Sequence, residues 1–289
     1  MKINTNVSSL TAQEAASNTN NSIKNSLEKL STGLKINKAS DDASGLAIAD
    51  KLRTQVTSLN QGVANGNSAI SLLQIADKSM AEQSKILDTI KAKLIQANTD
   101  TTSTAGRVSI AKDVSKLLTQ LNNIAGQTNY NGTYLLQASG GTTAAASAQK
   151  SALTFQIGEK TSDIISTENI QANTAGYGLT TLSAAVANTA TFSITKNAAA
   201  AGQTAVDAAI TTLNGYRGDI GSTQNQVESA VRNLMTQATN IKNAESVIRD
   251  VDYAEESANF NKLNIISQAG SYAISQANAV SQNVLRLLQ

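Results

Sequence analysis

The run Leu52-Arg53-Thr54-Gln55-Val56-Thr57-Ser58-Leu59-Asn60-Gln61-Gly62-Val63-Ala64-Asn65-Gly66-Asn67-Ser68-Ala69-Ile70-Ser71-Leu72-Leu73 returns an apolar or small residue at alternating steps of four and three. Continued in that spacing it gives Leu52, Val56, Leu59, Val63, Gly66, Ile70, Leu73, Asp77, Met80, Ser84, Leu87, Lys91 and Leu94, and nine of these thirteen are apolar. Such a stripe belongs to a helix that packs along its whole length on other helices. With no proline anywhere in the chain, one helix is predicted from about Gly45 to Asn98, roughly 80 Å at 1.5 Å per residue.

Two further stripes follow. Past the polar break at 99–106, Ile110, Val114, Leu117, Leu121 and Ile124 predict a shorter helix that ends at Gly126. Nearer the C-terminus Val206, Ile210, Leu213, Arg217, Ile220, Gln224, Val227, Val231, Leu234, Ala238, Ile241, Glu245 and Ile248 repeat the pattern. Two long stripes and one short one can cover each other as an antiparallel bundle. The middle differs: Asn131-Gly132 reads as a hairpin turn, Leu153-Thr154-Phe155-Gln156-Ile157-Gly158 alternates with period two, and Thr191-Phe192-Ser193-Ile194-Thr195 is a second strand candidate. The expected fold is mainly α, a long antiparallel helical bundle or coiled coil with a small β-hairpin insertion. Its terminal helices would pair as an inner coiled coil. The expected division joins 1–42 with 253–289, joins 43–137 with 201–252, and leaves 138–200 as a small β and loop surface insertion without large outer domains.

Composition narrows the chemistry. The 289 residues, about two domains' worth of chain, include no Cys, His, Pro or Trp. Imidazole and thiolate catalysis, nitrogen or sulfur metal sites and disulfides are therefore excluded. Twenty-three basic and 21 acidic residues are spread along the chain for a net charge of +2, so no nucleic-acid stripe and no membrane-binding patch is expected. No apolar run of signal-peptide or membrane length occurs. No enzymatic activity and no cofactor is expected.

The ends carry the strongest signal of function. Val7, Leu10, Ala12, Ala15 and Ala16 lead into Ile23, Leu27, Leu30 and Leu34, while Ile266, Gly270, Ala273, Ala277, Val280, Val284 and Leu287 repeat a 4,3 spacing at the other end. From Ser257 to Gln289 the only charges are Lys262 and Arg286, and Ser, Asn and Gln supply 14 of 33 residues. Lone helices of this kind are marginal in water. Pairing the two still leaves most of their circumference uncovered, with few charges to desolvate, as in the core of an obligate interface. Several copies of the chain are therefore expected to pack their ends together; where such a contact does not close, the product is an open helical filament. Leu52, Val56, Leu59, Ile70, Leu73, Val227, Val231 and Leu234 are the expected bundle core.

At this point the residues resemble a known family. Leu30-Ser31-Thr32-Gly33-Leu34-Lys35-Ile36-Asn37-Lys38-Ala39-Ser40-Asp41-Asp42-Ala43-Ser44-Gly45-Leu46-Ala47-Ile48-Ala49 is similar to the N-terminal signature of bacterial flagellins. So are Asn131-Gly132-Thr133-Tyr134-Leu135-Leu136 and Leu153-Thr154-Phe155-Gln156-Ile157-Gly158, and the end from Asp250-Val251-Asp252-Tyr253-Ala254 to Asn283-Val284-Leu285-Arg286-Leu287-Leu288 resembles the flagellin C-terminus. The resemblance implies a structural subunit of the flagellar filament, exported by the flagellar type III apparatus to the outside of the cell. It implies partners beyond the chain itself: an export chaperone, hook-associated junction proteins and the cap protein. The alternative is a hook-filament junction protein of the same superfamily, against which the ending Asn283-Val284-Leu285-Arg286-Leu287-Leu288 argues. At 88–96 the chain departs from flagellins sensed by the innate immune flagellin receptor, with Lys93 where a leucine commonly stands. Recognition by that receptor is therefore not carried over.

Several sharper motifs have plainer readings. Arg217-Gly218-Asp219 falls inside a heptad run rather than on a loop tip, which argues against an integrin ligand. The carboxylates Asp41, Asp42, Asp250, Asp252, Glu255 and Glu256 bring no converging metal ligands with them, and Asp41 or Asp42 is placed to cap the long helix. Gly66 and Gly270, inside heptads, predict close helix approach. Asn6, Asn20 and Asn131 stand in Asn-x-Ser/Thr triplets, but the family analogy favours O-linked sugars on the middle region.

Overall fold

The structure, a computed structural model, describes residues 6–138, 150–187 and 194–287, with the backbone alone for 281–287. Among them the chain forms helices α1 (Val7–Thr32), α2 (Ala43–Asn98) and α3 (Thr104–Gln127), then hairpin strands β1 (Asn129–Tyr130) and β2 (Thr133–Tyr134). Strands β3 (Thr154–Gln156) and β4 (Ile164–Ser166) follow, then helices α4 (Thr180–Ala187), α5 (Lys196–Arg249) and α6 (Tyr253–Leu287). Two compact units result, one gathering residues up to 57 and from 238 onward, the other 58–237. Helices α2 and α5 each contribute residues to both units.

In the unit of 58–237, α2 and α5 run antiparallel. Gly66 faces Val231, Asp77 pairs with Arg217 at 2.9 Å, Lys91 pairs with Asp207, and Asp100 meets Lys196 at 2.5 Å. Each step forward along one helix matches a step back along the other, so a single register holds throughout. Three charges that interrupt the predicted stripes, Asp77, Lys91 and Arg217, thereby neutralise partners across the interface. The ion pair also places Arg217-Gly218-Asp219 within α5 rather than on a loop.

From Leu59 onward the buried edge of α2 is Leu59, Gly62, Gly66, Ala69, Leu72, Leu73, Ala76, Met80, Gln83, Leu87, Ile90, Leu94 and Ala97. It keeps one of the two predicted rows, through Leu59, Gly66, Leu73, Met80, Leu87 and Leu94. The other row turns by a residue, so that Gly62, Ala69, Ala76 and Gln83 are buried while Val56, Val63 and Ile70 are half-buried. Small residues face inward because other chain segments press closely there. A Cβ at Gly62 would lie 1.9 Å from the Ile157 carbonyl oxygen, and one at Gly66 2.4 Å from Val231 Cγ2. Asn65 Nδ2 donates to the Gln156 carbonyl at 3.0 Å, fastening the same segment to α2.

Strand β3 falls within the predicted Leu153–Gly158, but it pairs antiparallel with Ile164–Ser166. Of the second strand candidate, 191–193 lies outside the described residues; Ile194 is buried, and the Thr195 hydroxyl accepts from the Ala198 N–H at the start of α5. Helix α4 was not expected from periodicity, being only eight residues long. The predicted Asn-Gly turn is present, with φ of 49° at Asn131 and 79° at Gly132, the left-handed pair that a two-residue hairpin loop requires. Ser103 starts α3 by accepting from the Gly106 N–H at 3.1 Å.

A buried polar group anchors the described part of the middle region to the helices. Gln83, fully buried on α2, donates from Nε2 to the carbonyls of Ala172 at 2.8 Å and Leu121 at 3.2 Å. Its Oε1 accepts from the Tyr177 hydroxyl at 2.8 Å. Burial, with Tyr216 nearby, pushes Tyr177 well above its ordinary value of 10.0, so the hydroxyl remains a donor. Tyr177→Phe would leave a buried Gln83 oxygen unpaired. A loss of about 1–3 kcal/mol is expected, read by chemical denaturation of the variant beside the unaltered chain.

Candidate assembly interface

Helices α1 and α6 pair antiparallel in the unit that holds both termini. Asn6 Nδ2 donates to the Ala277 carbonyl at 3.0 Å, Ser267 Oγ to Asn20 Oδ1 at 3.4 Å, and Ser26 Oγ to Glu256 Oε1. Their shared seam is lined by Ala12, Ala16, Thr19, Ile23, Ser26 and Leu30 of α1 and Phe260, Leu263, Ser267, Gly270, Ile274 and Ala277 of α6. Of these only Ser26 is buried; the rest are half-buried. A Cβ at Gly270 would meet Ala16 at an ordinary 3.9 Å, so this glycine, unlike Gly66, is not demanded by helix approach.

Outside the seam, large apolar side chains face solvent on both helices. Val7, Leu10 and Leu27 are exposed on α1, and Ile265, Ile266, Tyr272 and Val280 on α6, with Tyr272 73% and Ile265 67% exposed. Of the terminal residues singled out by sequence, Ile23, Leu30, Leu34 and Ala277 are half-buried, and Leu10, Leu27, Ile266, Ala273 and Val280 are exposed. The side chains of Val284 and Leu287 lie outside the described residues. Of the bundle residues, Leu59, Leu73, Val227, Val231 and Leu234 are buried, whereas Leu52, Val56 and Ile70 are half-buried.

The helix ends of this unit are tied together by a contact that no periodicity announces. Gly33 ends α1 at φ 74°, its N–H donating to the Lys29 carbonyl. The next residues pair antiparallel with the α5–α6 joint: the Val251 N–H donates to Gly33 O at 3.0 Å and the Lys35 N–H to Arg249 O at 2.7 Å. Asp42 Oδ1 accepts from the Gly45 N–H at 2.9 Å and caps α2. Asp41 Oδ2 accepts from the Asn37 and Lys38 N–H groups, each at 3.1 Å. Desolvation would raise the Asp41 carboxyl, but those two N–H groups, with the charges of Lys38 and Lys29, outweigh it and hold the group below 3.8. The hydrogen bond and charge of Glu28, 2.8 Å away, raise Lys38. Asp252 caps α6, Asp250 accepts from Ser246, and Glu256 from Ser26. These carboxylates therefore close turns and helix ends.

The comparisons with known proteins agree with one family across almost the whole chain. Residues 3–141 match the bacterial flagellin N-terminal helical region and residues 203–288 the bacterial flagellin C-terminal helical region. The chain belongs to the bacterial flagellin family. It is 36% identical to flagellin of Bacillus subtilis (strain 168) and 34% identical to the flagellar filament 33 kDa core protein of Treponema phagedenis, each over all of both chains. A putative flagellar hook-associated protein from Vibrio parahaemolyticus shares the fold at a TM-score of 0.58, covering 72% of this chain and 99% of that one at 11% identity. At that identity the likeness speaks for the fold alone. Flagellins are structural proteins, and this one is a subunit of the flagellar filament.

Two features of this flagellin escaped the sequence reading: the pairing of 33–35 with 249–251, and the Gln83–Tyr177 bond. The only advance signals were Gly33, placed where a helix must stop, and a glutamine in an otherwise apolar row. The lowered Asp41 carboxyl gives stability above its unfolded value and gives it up as pH falls through its folded one. Asp41→Asn should therefore melt below the unaltered flagellin at neutral pH, with the gap closing on acidification beneath 3.8. Thermal melts followed by circular dichroism across that range read the difference.

Proposed function

We propose that this flagellin assembles by burying the outer faces of α1 and α6 against those of other copies, in an open helical filament that does mechanical work and no covalent chemistry. The observation that carries the reading is the number of large apolar side chains left exposed on two helices that already share a seam. Exposed apolar surface of this kind marks an association site. Of the terminal residues, Leu10, Leu27, Ile266, Ala273 and Val280, with Val284 and Leu287, form the assembly set, while half-buried Ile23, Leu30, Leu34 and Ala277 hold the unit together from within. Buried Leu59, Leu73, Val227, Val231 and Leu234, with half-buried Leu52, Val56 and Ile70, serve as the helical scaffold that spaces one copy from the next.

The marginal cover of α1 and α6 suits passage of an unfolded chain through the flagellar type III apparatus, followed by folding at the growing tip outside the cell. An export chaperone would shield the apolar α6 face beforehand. Hook-associated junction proteins and the cap would present the same kind of surface at the two ends of the filament. Full-length likeness to filament flagellins favours this role over that of a junction protein.

Removing residues 257–289 is expected to leave soluble monomer under conditions in which the intact chain polymerises, as seen by sedimentation and negative-stain microscopy of seeded reactions. Filaments built from the truncated chain would refute the role given to α6. Ala273→Glu, on the exposed side of α6, should likewise stop growth by burying unpaired charge, while circular dichroism of the monomer stays helical. Normal filaments from that variant would count against an interface on this face.

A further inference from the structure

The sequence holds three Asn-Gly dipeptides, Asn65-Gly66, Asn131-Gly132 and Asn214-Gly215. In any such pair the backbone nitrogen of glycine can attack the preceding side chain, because no Cβ obstructs its approach. The attacking N–H must first be free of a hydrogen bond and able to lose its proton, and the backbone must bend the nitrogen toward Cγ. The three sites differ in these respects. Gly66 and Gly215 lie deep within α2 and α5, where the helical ladder holds the amide and the dihedrals. Asn65 is clamped as well: its Oδ1 accepts from Gln61 Nε2 at 2.9 Å and its Nδ2 donates to the Gln156 carbonyl at 3.0 Å.

Asn131 is in the opposite situation. It is exposed at the tip of the β1–β2 turn with φ 49°, and its carboxamide makes no hydrogen bond among the described residues. The Gly132 N–H has no partner there either, whereas Gly215, in equally open surroundings, lies inside α5 with its amide in the helical ladder. We propose that Asn131 is a site of spontaneous deamidation in the folded protein, with water as co-reactant, and that the fold shields Asn65 and Asn214.

In the reaction the Gly132 nitrogen bonds to Asn131 Cγ, the Cγ–Nδ2 bond breaks, and the nitrogen leaves as ammonia with the proton lost from Gly132. The resulting five-membered imide is opened by water. Cleavage at Cγ yields aspartate, and cleavage at the main-chain carbonyl yields isoaspartate. Either product adds a negative charge. The isoaspartate also lengthens the turn by one backbone atom between Tyr130 and its partner Thr133, just before buried Leu135 and Leu136.

The test incubates the full chain in heavy-oxygen water at mildly alkaline pH, native and in guanidinium, and follows label in peptides by mass spectrometry. In guanidinium all three asparagines should convert at similar rates. In the native chain Asn131 should convert at least about tenfold faster than Asn65 or Asn214, the factor that each 1.4 kcal/mol of local helix opening imposes. Asn131→Gln should abolish label in the peptide that spans the turn. Equal native rates at the three sites, an Asn131 that converts only in guanidinium, or label that persists in that peptide after the substitution would each overturn the proposal.

Discussion

Much of the 58–237 unit depends on the absence of a side chain at two positions of α2. Hydrogen at Gly66 lets Val231 of α5 reach the helix, and hydrogen at Gly62 admits the Ile157 carbonyl. Each glycine inside a helix costs about 1 kcal/mol against alanine, a cost offset here by close packing on both sides. Once that approach is made, the antiparallel register follows. Asp77 then faces Arg217, Lys91 faces Asp207 and Asp100 faces Lys196. The pairs lie at the surface, from 30% exposed at Asp77 to 85% at Asp100, and add little stability each. Their value is in register, because a slip of one turn would set lone charges against apolar rows.

The unit that holds the termini is built on different terms. Its α1–α6 seam uses alanine, serine, threonine and glycine with a few larger residues, and almost none of it is fully buried. What holds the four helix ends in place is chiefly backbone: the pairing of 33–35 with 249–251, the left-handed Gly33 and the carboxylate caps of Asp42 and Asp252. Hydrogen bonds of this sort fix geometry while contributing modestly to net stability. Firm joints thus stand beside weakly covered helices whose exposed apolar side chains are the surface that the proposed assembly uses.

Long helices were legible from sequence because heptad spacing and the lack of proline are local signals. The predicted start near Gly45 and end at Asn98 differ from the observed α2 by only two residues at one end. Less legible was which row of α2 faces inward. Apolarity favoured Val56, Val63 and Ile70, whereas burial favours Gly62, Ala69 and Ala76, since a close partner selects small size over hydrophobicity. Strand β4 and helix α4 were invisible for a related reason. Three and eight residues are too few to establish a period, and their conformation is imposed by what they pack against.

By itself the sequence determined that the chain is helical, unable to perform thiol or imidazole chemistry, and apolar at both ends with few charges to oppose association. Those properties reside in composition and short-range spacing, which survive in any conformation. Tertiary structure alone decided that Gln83 would join α2 to Leu121, Ala172 and Tyr177, and that the backbone from Gly33 to Lys35 would meet the backbone from Arg249 to Val251. It also decided that three identical Asn-Gly pairs would stand in three unlike surroundings. Such contacts join residues distant in the chain, and nothing in a local pattern states which of the many compatible partners will arrive.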